Sequence, residues 1–180
     1  MGGVKLKLTI AYDGFQYKGW QVQKSGVTVQ QKIEEALQKL FPSVERVHSS
    51  SRTDTGVHAR GMVAHVEIEK DEYRIGELKL RLALNAFLPD DVSVLEVKRV
   101  PASFHARFDA TGKQYRYMIW NHPVLNPLTR HTSWHVSRCL FSSPALIVRT
   151  STFFKSVKYF KNTGRQCISV LLSTKINIEE

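Results

Sequence analysis

The sequence predicts an α+β fold in which an antiparallel or mixed sheet carries its helices on one face. Three observations support this class. Apolar and polar residues alternate in four segments, as they do in half-buried strands. Two intervening segments space their apolar residues as a helix does. The chain has 180 residues and is 42% hydrophobic, which is enough to bury a substantial core.

The first strand and the first helix have clear boundaries. Apolar residues alternate with lysine and threonine from Val4 to Tyr12, and Asp13-Gly14 ends this strand. A helix is predicted to begin at Thr28, with Gln31 completing a capping box, and to end at Pro42. Its apolar stripe consists of Val29, Ile33, Ala36, Leu37 and Leu40.

The following elements continue the alternation of strands and helices. A polar loop over residues 48–60 precedes a strand over 62–68. A second helix is predicted over 72–87, and two more strands over 92–100 and 113–121. The face of the second helix that is predicted to be buried consists of Ile75, Leu78, Leu82 and Ala86.

The charge balance favours a polyanionic partner. Lys and Arg number 26 against 16 Asp and Glu, a net charge of +10 with a pI of about 9.8. Cations and aromatics are interleaved, as in proteins that hold a nucleic-acid backbone and stack bases. These residues are Lys18, Trp20, Arg52, Arg60, Arg107, Lys113, Tyr115, Arg116 and Tyr117. An ordinary solvated basic surface is the alternative.

Several classes of protein are unlike this sequence. Cys139 and Cys167 are the two cysteines, which excludes a disulfide-dense scaffold and a CxxC metal site. No segment approaches the roughly 18 apolar residues of a membrane helix. The early alternation at the N-terminus leaves no room for the apolar segment of a signal peptide, so we expect a cytoplasmic protein. His58 and His65 have no diagnostic ligand spacing, and we predict no metal site.

The strongest chemical candidate is Asp54, which lies between Arg52 and Arg60 with His58 nearby in sequence. Neighbouring cations favour an ionised carboxylate, which suits a nucleophile or a base. Gly56 permits a tight turn that would present Asp54 at the tip of a loop. The alternative is a turn whose carboxylate only bonds its own backbone.

Several strings of the sequence together resemble the TruA family of tRNA pseudouridine synthases. They occur in the family's order over residues 4 to about 138. The strings are Tyr12-Asp-Gly14, Gly19-Trp-Gln21, Val29-Gln30 leading into Glu34-Glu-Ala-Leu37, Arg52-Thr-Asp-Thr-Gly-Val-His-Ala59, Asn85-Ala-Phe-Leu-Pro89, Phe104-His-Ala-Arg-Phe108, Tyr115-Arg-Tyr117 and a weaker Trp134-His-Val136.

This resemblance implies the isomerisation of uridine to pseudouridine in the anticodon stem-loop of tRNA, at positions 38 to 40. By motif match, Asp54 is the catalytic aspartate, Tyr115 stacks on the target uracil, and Arg52 helps to hold the flipped base. The reaction changes neither redox state nor composition, so no cofactor is expected. Whether Asp54 attacks the sugar, adds to the base or removes a sugar proton stays open. The family also implies a homodimer that binds tRNA across two subunits.

The resemblance stops before the end of the chain. Residues 1–104 correspond to the N-terminal α+β half, 105–138 to the start of the second half, and 139–180 to no part of the family. We expect a truncated or frame-shifted product, with a short natural variant as the alternative. A strand is predicted at residues 168–172, and Arg149 is a weak match to a late basic residue. A catalytically impaired tRNA-binding fragment and a poorly folded remnant are the alternative functional readings.

Overall fold

The computed structural model describes residues 3–137, 156–161 and 167–175, and places them in two units. The first unit covers residues 1–109 and the second covers residues 110–180. The two units meet after residue 109, which is later than the predicted boundary after residue 104. Residues just beyond 104 belong to the first unit, since Ala106 is buried and its amide donates to His65. Cys139 and Arg149 lie outside the described residues.

The first unit contains a four-stranded antiparallel sheet in the order β2-β3-β1-β4. Its strands are β1 (Val4–Tyr12), β2 (His48–Ser49), β3 (Ala59–Ile68) and β4 (Val92–Val100). The helices are α1 (Val29–Gln38) and α2 (Glu77–Phe87). The predicted α+β class is therefore confirmed, and so are the bounds of the first and third predicted strands. Strand β2 was missed, because two residues are too few to show alternation.

One face of this sheet forms the core. The apolar positions of β1 are at most 4% exposed, and they pack in one cluster with the buried faces of both helices. Helices on one side of a sheet bury the same alternate residues of every strand. The opposite face of β1 presents Lys5, Lys7, Thr9 and Ala11, which are only partly buried.

Helix α1 begins as predicted, but with half of the predicted capping box. The Thr28 hydroxyl accepts the Gln31 amide at 3.4 Å, which satisfies one donor of the first turn. The Gln31 side chain donates to Glu35 Oε1 at 2.8 Å and does not return to Thr28. The first two helical amides, of Val29 and Gln30, donate to the carbonyls of Gly19 and Trp20. The loop before the helix therefore completes its cap.

The predicted face of helix α2 is wrong. Leu78 and Leu82 are 63% and 60% exposed, whereas Leu80 and Leu84 are fully buried. Leucine occupies positions 78, 80, 82 and 84, so two faces share the i, i+4 spacing and sequence spacing alone does not choose between them. The helix also begins at Glu77, after Gly76, rather than at residue 72.

Asn85 joins α2 to the edge strand β4. Its side-chain oxygen accepts the Val94 amide at 2.8 Å, and its NH₂ donates to the carbonyls of Val94 and Arg81, both at 2.9 Å. Arg81 Nη1 also donates to the Leu95 carbonyl at 3.3 Å. These bonds occupy outward-facing groups of β4, which would otherwise be open to pairing with another strand.

The second unit contains another four-stranded sheet, in the order β6-β5-β8-β7. Its strands are β5 (Gly112–Asn121), β6 (Trp134–Val136), β7 (Ser156–Lys161) and β8 (Cys167–Lys175). Strand β8 pairs antiparallel with β5 over its whole length and includes the strand predicted at residues 168–172. In the described part of the chain, no helix is long and apolar enough to cross a membrane.

Candidate active site

Asp54 lies at the tip of the loop that joins β2 to β3. The Val57 amide donates to the Asp54 carbonyl at 3.2 Å, which closes a turn, and Gly56 has a φ of +77°. Asp54 is exposed, and within the described residues its carboxylate makes no hydrogen bond or ion pair. This is the predicted presentation at a loop tip, and the carboxylate does not bond its own backbone as the alternative required.

The cations expected around Asp54 are arranged differently from the prediction. His58 Nδ1 lies 2.8 Å from Asp13 Oδ1 and 3.1 Å from the Gly14 amide, so this imidazole engages the end of β1. Arg52 and Arg60 are exposed, and neither forms an ion pair with Asp54 in the described residues. Arg52 remains two positions from Asp54, at the start of the same loop.

The Asp54 loop is held by hydrogen bonds to residues 17–20, in the segment that follows β1. The Trp20 amide donates to the Thr53 carbonyl at 3.0 Å, and the Gly56 amide donates to the Tyr17 carbonyl at 3.2 Å. Tyr17 is itself fixed, because its hydroxyl donates to Asp91. Burial, followed by this bond, raises the pKa of the Tyr17 phenol, so the hydroxyl stays protonated at neutral pH.

Two glycines make this close contact possible. A Cβ on Gly19, which has a φ of +84°, would lie 2.5 Å from the Thr53 carbonyl oxygen. A Cβ on Gly14 would lie 2.0 Å from the Val57 carbonyl oxygen. Real Cβ atoms do not approach backbone this closely, so both motifs, Tyr12-Asp-Gly14 and Gly19-Trp-Gln21, serve to seat the Asp54 loop.

Trp20 is buried and has no ring surface on which a base could stack, although the sequence analysis grouped it with residues typical of nucleic-acid binding. It is 1% exposed and belongs to the core of the first unit, with its ring centroid 6.0 Å from that of Tyr12. Its amide and carbonyl, rather than its ring, contribute to the site by bonding Thr53 and Gln30. The motif Gly19-Trp-Gln21 was recognisable in the sequence, but nothing in the sequence indicated that the backbone of Trp20 supports the loop.

A histidine cluster anchors the segment 104–109 to the face of the first sheet opposite the helices. His48, His65 and His105 lie with ring centroids 4.7 to 6.1 Å apart. His65 Nδ1 accepts the Ala106 amide at 3.1 Å, and the His105 ring stacks on Phe108 at 4.2 Å. Within the described residues, no group of three or more His, Cys, Asp or Glu is arranged to hold a metal ion.

The pKa of His65 is lowered to about 4, first by burial and then by the neighbouring His105, His48 and Lys5, while Asp109 opposes the shift. The unfolded chain has a histidine pKa near 6.5. Between these values the unfolded state binds the proton and the folded state does not. The stability that neutral His65 contributes is therefore fully present above about pH 6.5 and is lost as the pH falls towards about 4.

We expect His65 to remove about 2 kcal/mol from the stability of the first unit between pH 7 and pH 4.5. In His65→Asn, whose amide oxygen can still accept the Ala106 amide, this pH dependence should be smaller, with some loss of stability at pH 7. Urea titrations monitored through hydrogen exchange in β1 measure the stability at pH 7 and its pH dependence. His131→Asn, in the second unit, is the control. An unchanged pH slope in His65→Asn would contradict the assignment.

An open groove of about 320 Å³ lies at the ends of β1, β3 and β4. It is lined by Ala11, Tyr12, Asp13, Ala59, Arg60, Asp90, Asp91 and Ser93. Arg60, which was predicted beside Asp54, is therefore placed among the carboxylates of this groove. Asp54 does not line it.

Tyr115 lies in the second unit, on β5, opposite Leu172 of β8 in the antiparallel register. It is 39% exposed, and Tyr117, two residues along the same face of the strand, is 55% exposed. Ile119 continues this face and is buried. Burial does not alternate along β5, because residues 114–117 are all exposed, and Ile119 is the one buried position of the strand.

These features define an α+β protein that presents the Asp54 carboxylate at the tip of a braced loop. A family model described as tRNA pseudouridine synthase matches residues 8–109, which include the whole Asp54 loop. The chain belongs to this family.

Relatives named tRNA pseudouridine synthase A match the chain closely. The protein of Geotalea daltonii is 47% identical over 134 residues, which are 73% of this chain and 52% of the relative. The protein of Solidesulfovibrio magneticus is 49% identical over 138 residues, which are 74% of this chain and 49% of the relative. The chain thus spans about half the length of the curated relatives it matches.

Proposed function

We propose that this chain isomerises uridine to pseudouridine in the anticodon stem-loop of tRNA, at positions 38 to 40, with Asp54 as the catalytic residue. The observation that carries the proposal is the exposed Asp54 carboxylate, held at the tip of a braced loop inside the region that matches the family. An exposed carboxylate without an internal partner can reach an extruded nucleotide.

The chemistry suits such a site. The bond between C1′ and N1 of uridine breaks and a bond between C1′ and C5 forms. C5 loses its proton and N1 gains one. Atoms and electrons balance within the nucleotide, so no cofactor is required. One ionised carboxylate and an extruded base are the main needs of the site.

Arg52 and Tyr115 are proposed as substrate-binding residues, as the family resemblance implies. Arg52 is exposed at the start of the Asp54 loop, where a guanidinium can hold the flipped nucleotide through its phosphate or its base. The Tyr115 ring is partly exposed, which suits stacking on the target uracil. Residues 1–104 and 105–138 are proposed as the N-terminal half and the beginning of the second half of the synthase domain.

The direct test measures tRNA binding and pseudouridine formation on one purified sample of the full 180-residue chain. The substrate is a tRNA transcript with uridine at positions 38 to 40, and a transcript with cytidine there is the control. Pseudouridine at these positions in the first transcript alone is the expected result. Binding without any product would support the alternative, a catalytically impaired tRNA-binding fragment.

We propose further that the protein acts in the cytoplasm as a homodimer, as the family resemblance implies. The support is the shared family and the net charge of +10, which suits a partner as large and as acidic as tRNA. Analytical ultracentrifugation with and without tRNA tests the assembly. A monomer at every concentration, bound one to one to tRNA, would contradict it.

Tyr115→Ala should weaken tRNA binding about tenfold, because base–aromatic stacking contributes roughly 1–3 kcal/mol per base. Tyr115→Phe should bind tRNA as the parent does and lose only a step that depends on the hydroxyl. Filter binding and single-turnover pseudouridine formation, measured on both variants, separate the two effects. If the Ala and Phe variants bind and react alike, the ring does not lie against the target base.

A further inference from the structure

Thr53, the residue before Asp54, is held at both its side chain and its backbone. Its hydroxyl lies 2.7 Å from the Tyr12 hydroxyl, and its carbonyl accepts the Trp20 amide at 3.0 Å. Tyr12 and Trp20 are 4% and 1% exposed, so both contacts come from the packed core. Side chains that are locked by packing hold their hydrogen-bond partners in place.

Tyr12 is well placed to act as a fixed point. It is the last residue of β1 and pairs with Ala59 on one side and Val92 on the other. The pairing with β3 is irregular between Ile10 and Tyr12, and such bulges re-aim side chains beside active sites. Burial raises the pKa of the Tyr12 phenol, although the bond to Thr53 opposes this, so the hydroxyl stays protonated at neutral pH.

Trp20 supplies the second point of attachment and is fixed from the helix. Its carbonyl accepts the Gln30 amide at 3.0 Å, in the first turn of α1. Thr53 is therefore linked to the central strand through Tyr12 and to α1 through Trp20. Two attachments of one residue to two elements define the direction of the chain that leaves it.

We propose that Tyr12 is a positioning residue for the isomerisation: through its hydrogen bond to Thr53 it fixes the direction in which Asp54 presents its carboxylate. This inference rests on the proposed function. The Asp54 carboxylate has no partner in the described residues, so its orientation depends on the backbone that carries it. A misplacement of about 1 Å costs on the order of a hundredfold in rate.

The experiment compares Tyr12→Phe, Thr53→Val, Thr53→Ser and the double variant Tyr12→Phe/Thr53→Val in the full chain. Each of the first two removes one hydroxyl with little change in shape. We expect single-turnover rates about tenfold to a hundredfold lower in both, with tRNA affinity within about twofold of the parent. Thr53→Ser keeps the hydroxyl and should retain most of the rate. The double variant should be no slower than the slower single variant, because both changes break the same bond.

Two results would overturn the inference. Tyr12→Phe could react as fast as the parent, or the two losses could multiply in the double variant, which would show that the hydroxyls act separately. If Tyr12 had a merely structural role, Tyr12→Phe would lower tRNA affinity and rate together, and Thr53→Ser would not keep more of the rate than Thr53→Val.

A second readout keeps the test independent of activity. If the parent chain forms no pseudouridine, the proposed function fails, and the loop can still be followed by hydrogen exchange. Tyr12→Phe and Thr53→Val should speed exchange at the amides of Trp20 and Gly56, which donate to Thr53 and Tyr17, by about tenfold. The amides of Leu6 and Leu8 in β1 are the internal control. Unchanged exchange at Trp20 and Gly56 would show that Tyr12 does not hold the loop.

Discussion

Asp54→Asn is expected to lower pseudouridine formation by at least about a thousandfold, because a carboxylate can act as a nucleophile or a base and the amide that replaces it cannot. Asparagine has nearly the same shape and no charge. The Asp54 carboxylate makes no hydrogen bond or ion pair in the described residues, so the substitution disturbs no side-chain contact there. The loss should therefore be one of chemistry rather than of folding.

Binding of tRNA should survive the same substitution. Phosphate contacts from Lys and Arg supply most of the affinity of a protein for nucleic acid, and Asp54 contributes none of them. Removing a negative charge facing an RNA should leave affinity unchanged or slightly higher. Product formation in a single turnover and filter binding, both on the full chain, measure the two effects.

Asp71→Asn is a matched control for Asp54→Asn. Asp71 is an exposed carboxylate in the turn after β3, and it changes charge by the same amount without touching the loop. It should react and bind as the parent does. Turnover by Asp54→Asn within tenfold of the parent would rule out Asp54 as the essential group.

Alternation predicted the strands better than spacing predicted the helices. Strand β1 has one apolar face and one polar face, so its pattern has a single solution. Helix α2 carries leucine on two faces, and the choice of Leu80 and Leu84 over Leu78 and Leu82 is made by packing against β4. Tertiary contact decides wherever the sequence offers two equivalent stripes.

The place of Asp54 at the tip of a loop was predictable from the sequence, and the contacts that hold the loop were not. Charge, turn chemistry and motif order were enough to select Asp54, and the structure places it at the predicted loop tip. The contacts that hold the loop join Tyr12 and Trp20 to Thr53 across more than thirty positions of sequence. Such contacts follow from how β1 and the β2–β3 loop meet in space. For the same reason the sequence placed His58 beside Asp54, whereas it bonds Asp13.

The 180-residue chain is expected to react about a hundredfold more slowly than a full-length relative, such as the protein of Geotalea daltonii, on the same tRNA. Of the proposed site, the described residues include Asp54, Arg52 and Tyr115. The family resemblance implies a later basic residue against the aspartate. In the described residues Asp54 has no such partner.

Within the described residues the carboxylate is held through its own loop, and water screens the charges around an exposed group. The decisive measurement is the single-turnover rate of both proteins at saturating concentrations, so that differences in tRNA affinity do not enter. Asp54→Asn in this chain and the matching substitution in the relative give the baselines. Equal rates for the two parents would show that residues beyond the family match complete the site. A rate at the Asp54→Asn baseline, with tRNA still bound, would instead support the alternative of a catalytically impaired tRNA-binding fragment.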